Sequence, residues 1–381
     1  MKRVLLIDPW GTANTSEYLN GLIYGLSPIV DLTVFTNYYF ELKTDSNVRI
    51  NRVFFKKTEK MHRNKIRSVM RGIEYIISYF HIFKHLSRTE RYDVIHINWL
   101  LEYSLDIHFL KQLKKYAKKL VYTAHNVIPH VNGEKYLPQL KVIYGLCDCI
   151  ILHGEAIKKE FTKYFPEYNN KIYIQYHGNN IFPNTSYDEN KIPEYIKEKV
   201  RRYNRLYIYF GVIFYNKGVD LLVNCWLKNP DNKKSLLVIA GKRDGDYPEL
   251  DQLIEEIQNT DNILYIDGFV DNDVLNFLIE QSVLIVLPYR HASMSGVVFT
   301  AADFSKPILC TNVGAIPEYI ENGVDSICVD SNEESLLRAI QTIDNNMDDL
   351  TLKRMGEYLN KNIQNKCSWS SIGLSLNENV Y

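Results

Sequence analysis

No apolar run in this chain approaches the roughly 18 residues that a membrane-crossing helix needs. The densest, Val283 to Pro288, holds six. The amino end, Met1-Lys2-Arg3 followed by Val4 to Ile7, is cut by Asp8, too short an apolar core for a secretory leader. Cysteine is sparse: six residues in 381, at Cys147, Cys149, Cys225, Cys310, Cys328 and Cys367. Only Cys147 and Cys149 are close, and C-x-C matches neither a zinc ribbon nor a thioredoxin spacing. The scatter speaks against a disulfide framework and for a reducing compartment. Neither charge is in excess, with 45 Lys plus Arg against 45 Asp plus Glu, and hydrophobic residues make up 46%. That balance excludes a chain that is disordered as a whole. A cytoplasmic location is expected.

The zero net charge conceals a split. Residues 1–180 hold 26 Lys/Arg against 16 Asp/Glu, and residues 181–381 hold 19 against 29. At about 150 residues per domain the length suggests two domains, and opposite charges suit two domains with different partners. Short apolar runs alternate with helix-period stretches throughout. Strands are expected at Arg3–Ile7, Leu32–Thr36, Val48–Phe54, Asp93–Asn98, Leu120–Thr123, Cys149–Leu152 and Lys171–Gln175, then at Leu206–Gly211, Leu236–Gly241, Ile263–Asp267, Val283–Leu287, Pro307–Thr311 and Ser326–Val329. Amphipathic helices are expected between them, as at Gly218–Leu227, Glu249–Gln258, Asp273–Ser282 and Glu333–Ile343. Strand–helix–strand repetition implies an α/β fold of parallel sheets covered on both faces. The expected plan is a Rossmann-like domain at 1–180, a linker at 181–203, a second doubly wound domain at 204–365 and a tail at 366–381 that packs back on the first. Two such domains are expected to face each other across a cleft. Ligands of doubly wound sheets bind at the carboxyl ends of the strands, so residues just after strands carry the interest.

Three such segments stand out. Gly211-Val212-Ile213-Phe214-Tyr215-Asn216-Lys217-Gly218 follows a strand and opens a helix. Glycine lets backbone approach a ligand, and a lysine at that junction suits a phosphate. Pro288-Tyr289-Arg290-His291-Ala292-Ser293-Met294-Ser295-Gly296-Val297 also follows a strand. Here Ser295 is expected to cap a helix, Gly296 and Val297 to turn free amides toward an anion, and Arg290 to add charge. Lys306 to Glu318 is a strand ending in a Gly/Pro turn. Asp244-Gly245-Asp246 and Asp271-Asn272-Asp273 have the form of a metal-holding pair, but the first reads as a turn and Asp271 as a helix cap. No residue set has zinc spacing, and no metal or cofactor is expected.

In this order, Lys217-Gly218, Lys306-Pro307 and Val313-Gly314-Ala315-Ile316-Pro317-Glu318 resemble the carboxy-terminal domain of glycosyltransferase family 4, a retaining GT-B family. The family's usual arginine falls at Val212, and its two motif glutamates fall at Ala292 and Thr300. The chain resembles the branch that carries Ser-Gly-Val instead. The resemblance implies a nucleotide-diphosphate sugar donor, UDP- or GDP-linked. Its diphosphate would lie on Lys217, Ser295, Gly296, Val297, Arg290 and Gly11. Phe269 and Val270 would hold the base and Thr300 the ribose. Tyr122-Thr123-Ala124-His125-Asn126 is similar to the family's Thr-x-His-Asp/Asn segment, so His125 is expected beside the sugar and phosphates, as a catalytic residue with Lys217. Asn14, Asn126, His130 and His177 are assigned to the sugar or acceptor side.

Lys56 to Arg91 interleaves basic residues with Ile73, Tyr75, Ile76, Ile77, Tyr79, Phe80, Ile82 and Phe83. Such a stretch suits an anionic membrane surface, and 56–91 is expected to place the chain on the inner face of the cell membrane. It lacks a nucleic-acid module, and no nucleic-acid partner is expected. The implied activity is sugar transfer to a saccharide acceptor, lipid-linked, in cell-surface polysaccharide assembly. A sugar-nucleotide epimerase or hydrolase, or a nucleotide-sugar-binding subunit without turnover, also fits the residues.

Overall fold

The computed structural model describes residues 1–12, 14–44, 46–62, 64–129 and 133–381, with only the backbone of Asn14. The chain forms two compact units, one of Met1–Ile181 with Cys367–Tyr381 and one of Phe182–Lys366.

The first unit holds β1 (Arg3–Asp8), β2 (Asp31–Asn37), β3 (Arg49–Phe54), β4 (Tyr92–Ile97), β5 (Ala117–Thr123), β6 (Cys149–Leu152) and β7 (Ile172–Ile174). They pair in parallel in the order β3-β2-β1-β4-β5-β6-β7. The central strands carry mostly apolar middles because both their faces are covered; Val4, Leu5, Leu6 and Ile7 of β1 are all fully buried. Two of its helices matter below. Helix α1 (Asn14–Leu26) lies on the sheet through Leu19, Leu22, Ile23 and Leu26. Helix α2 (Lys65–Leu86) starts where the Asn64 side chain accepts from the Arg67 amide at 2.7 Å.

The second unit holds β8 (Arg205–Phe210), β9 (Ser235–Gly241), β10 (Ile263–Asp267), β11 (Leu284–Leu287), β12 (Ile308–Thr311) and β13 (Ile327–Val329). They too are parallel, in the order β10-β9-β8-β11-β12-β13. Helix α3 (Val219–Lys228) follows β8 and the short α4 (Val297–Asp303) follows β11. In each sheet the strand order reverses once, between β1 and β4 and between β8 and β11. Those are the switch points at which loops splay and leave room for a ligand.

Two expectations are corrected. The segment 181–203 is not a free linker: from Phe182 it belongs to the second unit, with Ile192 and Ile196 buried and Asn276 donating to the Asn184 and Ser186 carbonyls. The stretch Glu249–Gln258 breaks into two short helices, Pro248–Asp251 and Ile254–Asn259. Helix α5 (Trp369–Asn379) returns to the first unit and buries Trp369, Ile372 and Leu376 against α1.

Candidate active site

In the second unit the loop after β8 is shaped by Gly218. Its φ is +63°, and a Cβ there would lie 2.0 Å from the Pro288 carbonyl oxygen, so only glycine fits. The turn brings in Lys217, whose Nζ sits 3.7 Å from the centre of the Tyr289 ring. Burial alone shifts Lys217, lowering its pKa to about 8. No carboxylate lies within ion-pair distance of it among the described residues. A buried ammonium without a carboxylate is held there at a cost, and an arriving anion relieves it.

Tyr289 joins two of the expected residues. Its ring lies under Lys217 and its hydroxyl meets the Ser295 hydroxyl at 3.2 Å. Ser295 is therefore not the cap of α4; Gly296 holds the cap position, without a side-chain cap. The amides of Gly296 and Val297 find no acceptor among the described residues. Thr300 is half-buried within α4. Phe269 and Val270 follow β10 on the same carboxyl edge, and Phe269 is 89% exposed, a large ring left open to solvent. Ala292 occupies a crowded place, with its carbonyl 1.7 Å from where a Cβ on Gly314 would stand.

Arg290 differs from expectation. Its Nη1 and Nη2 donate to the two Asp220 oxygens, each at 2.7 Å, so its charge is neutralised. Burial alone would raise the Asp220 pKa, but the bonds from Arg290 and Tyr247 outweigh it and hold the carboxyl below its usual range. The pair clamps the loop after β11 to α3. Sequence reasoning missed Asp220 because nothing in its spacing marks a partner 70 residues away. Lys306 is structural too, donating to the Glu280 and Ser282 carbonyls at 2.7 and 2.6 Å. Asp271 caps its helix as expected, accepting from the Asp273 amide at 2.8 Å.

In the first unit the switch point is polar. Asp8, at the end of β1 and fully buried, accepts from the Trp10 and Gly11 amides at 3.0 Å and from the Asn98 side chain. The Gly11 amide is thus engaged and is not free for a diphosphate, contrary to expectation. Burial pushes the Asp8 pKa up to about 6. His125 follows β5 and stacks on Trp99 at 4.0 Å, the two rings nearly parallel. Its Nε2 meets Asn98 Oδ1 at 3.1 Å and its Nδ1 meets His153 Nε2 at 3.2 Å. Both ring nitrogens are occupied, so a sugar hydroxyl reaches one only by displacing a protein partner. Burial, with neighbouring histidines, drives His125 well below the ordinary histidine range. The same causes bring His153 down to about 3, and burial brings His177 to about 4.

His177 ends the same edge, its ring 5.5 Å from that of His153, and Asn126 adjoins His125. His130 lies outside the described residues, as does the Asn14 side chain. Asp8, Asn98, Trp99 and His153 were not foreseen, although each stands at or just after a strand, the signal that found His125. Among the described residues no three His, Cys, Asp or Glu side chains are grouped to hold a metal ion.

On α2 the basic stretch divides. Arg71 pairs with Glu59 at 2.9 Å and Arg67 donates to the Thr58 carbonyl, so neither projects freely. One face is buried through Tyr75, Tyr79 and Ile82. The other leaves Ile66, Val69, Ile73, Ile77 and Phe80 exposed at 67, 66, 53, 49 and 69%. No helix among the described residues is long and apolar enough to cross a membrane.

Two doubly wound parallel sheets are the plan of the GT-B glycosyltransferases, among other proteins, and comparison with known proteins selects that class. Residues 40–181 match the family described as Glycosyltransferase Family 4, and residues 204–346 match Glycosyl transferases group 1. A protein of Methanocaldococcus jannaschii described as an uncharacterized glycosyltransferase is 25% identical over 304 residues, covering 74% of both chains. A Klebsiella pneumoniae protein described as a 41.2 kDa protein in cps region is 24% identical over 292 residues, 72% of this chain and 75% of the other. Sucrose-phosphate synthase from Thermosynechococcus elongatus shares the fold with a TM-score of 0.70 at 16% identity, covering 99% of this chain and 98% of that one. So does Anabaena HepE in complex with UDP, with a TM-score of 0.70 at 14% identity and the same coverage. The chain belongs to the glycosyltransferases of the family 4 type and is a transferase enzyme.

Proposed function

We propose that this enzyme moves a sugar, with retention, from a nucleotide-diphosphate sugar to a lipid-linked saccharide in the assembly of a cell-surface polysaccharide. Lys217 carries the reading: a half-buried ammonium at the β8–β11 switch point with no carboxylate beside it among the described residues. The HepE structures with UDP and UDP-glucose support the donor class, and the relative in the cps region supports the pathway. Phe269 and Val270 offer backbone to the base, and Thr300 a hydroxyl to the ribose. The acceptor oxygen bonds the anomeric carbon on the face from which the diphosphate departs. The bond from that carbon to the phosphate oxygen breaks, and the acceptor proton passes to the departing phosphate. Lys217 stabilises the charge that develops there. The reading needs no resident metal.

The exposed face of α2 supports a membrane-borne acceptor. Its apolar ridge runs between Lys65 and Lys84, with Lys56, Lys57 and Lys60 close in sequence, and an apolar strip framed by lysines suits an anionic bilayer.

The test is a thermal shift with UDP, GDP, ADP and CMP, each with EDTA and with Mg²⁺. A ligand at 100 times its Kd adds about 2.7 kcal/mol. Stabilisation by one diphosphate, unchanged by EDTA and abolished in Lys217→Ala along with turnover, is the expected result. A Lys217→Ala enzyme of unchanged activity overturns the phosphate role. Binding without turnover on any acceptor turns the reading to a nucleotide-sugar-binding subunit.

A further inference from the structure

At the carboxyl edge of the first sheet, hydrogen bonds run unbroken from Asp8 through Asn98, His125 and His153 to the Gln175 carbonyl. Each link needs one proton. The Gln175 oxygen only accepts, so His153 Nδ1 carries one. The His153–His125 link at 3.2 Å needs a second, and the His125–Asn98 link at 3.1 Å needs a third when Asn98 turns its Oδ1 to the ring. Two neutral imidazoles hold only two. Turning the Asn98 amide over supplies His125 from the amide nitrogen, but Oδ1 then faces Asp8, which must itself be protonated. Either arrangement closes only with one proton beyond an ionised Asp8 and two neutral rings.

We propose that Asp8, Asn98, His125 and His153 share this single proton at neutral pH, which makes Asp8 and His153 positioning residues for His125. With the proton the chain is neutral overall. Without it, a buried carboxylate keeps its charge and two lone pairs oppose each other, which a site out of water resists. The groups packed around the chain are nearly all uncharged. Tyr18 from α1 presents its ring to His125 at 4.7 Å, to His153 at 5.4 Å and to His177 at 4.9 Å. His177 and His96 act on both rings, Trp99 covers His125, and Trp369 from α5 closes over Tyr18. Asp8 is the one carboxylate in the chain; burial moves its pKa up and those of the two rings down, so of the three groups the carboxyl is the one that burial favours as the proton's seat, and the proposal rests on the hydrogen-bond inventory.

The proton inventory stands whatever the substrate; only its use on a sugar rests on the transferase reading. The experiment therefore reads the ligand-free protein: ring ¹⁵N shifts of labelled histidine and the carboxyl ¹³C shift of Asp8, from pH 5 to 9. The expected result at pH 7 is either a neutral Asp8 carboxyl or one imidazolium spread over His125 and His153, lost in a single step at higher pH. Two neutral rings beside an ionised Asp8 at pH 7 overturn the proposal. Asp8→Asn supplies a second readout, because asparagine reproduces the protonated acid and closes the chain with neutral rings. In the wild type the folded chain holds one proton and the unfolded one none above the ordinary histidine value of 6.5, so from there stability falls as pH rises until the shared proton is lost. Asp8→Asn should flatten that fall in melting temperature. A variant that keeps the wild-type titration and the same fall also overturns it.

Discussion

Lys217 shows how one side chain trades stability for binding. Its pKa of about 8 means that the folded protein holds this proton less tightly than the unfolded chain does. The penalty is fully present below pH 8 and is relieved as pH climbs through 8 toward the ordinary lysine value. Lys217→Met should therefore raise the stability of the ligand-free enzyme at pH 7 by about 1–3 kcal/mol, less whatever the Tyr289 ring returns. Urea denaturation checks it, and an unchanged midpoint would show that the ammonium is already solvated. Nucleotide affinity follows the same proton. If the bound ammonium stays charged, the Kd of the preferred diphosphate should rise about tenfold between pH 7 and pH 9, since the amine must first be reprotonated. Titration calorimetry at the two values decides it. Arg290 makes the contrast: also cationic and also after a strand, it is spent on Asp220 and offers an anion little.

Helix α2 separates packing from display within one element. Tyr75, Tyr79 and Ile82 hold it to its unit, while Ile73 and Phe80 touch little. The pair Ile73→Ser and Phe80→Ser should leave the stability within about half a kcal/mol of the wild type, as read by urea denaturation. It should also lower co-sedimentation with anionic vesicles several-fold, and undiminished vesicle binding would remove α2 from the membrane reading. Much of the element level was legible in the sequence. All thirteen strands lie where short apolar runs stand between helical stretches, because strands buried on both faces leave no other pattern. The strand-end rule led to Lys217 and His125 for the same reason. Side-chain partnerships were not legible. Asp220 with Arg290, or Asp8 with Asn98, are made by residues at or after strands that are neighbours in the sheet, 70 or 90 residues apart in the chain, and no local period records such pairings. The engaged Gly11 amide was hidden for the same cause, since its acceptor, Asp8, looked like the polite end of a strand.

The chain as a whole leaves its first unit at Ile181 and comes back to it at Cys367. Gly21, Gly25 and Gly178 make the return possible: a Cβ on Gly21 or Gly178 would stand 1.9 or 2.1 Å from the Trp369 ring, and one on Gly25 would stand 2.1 Å from the Trp369 carbonyl. The indole nitrogen donates to the Asn179 carbonyl at 2.7 Å. Trp369→Ala should cost about 3–5 kcal/mol. Hydrogen exchange should show the loss within residues 1–181 and leave 182–366 protected; a uniform loss would mean that the two units unfold as one. The same return imposes an order on biosynthesis. A ribosome has finished every strand of the first sheet nearly two hundred codons before it reaches the tryptophan that closes over α1. During that interval the glycine-lined slot on α1 stands open, and by its end the later unit has its whole sequence and is free to fold first. The part of the enzyme made earliest is thus the last to be completed, and its newly made chain is the form in which chaperones or proteases would find it.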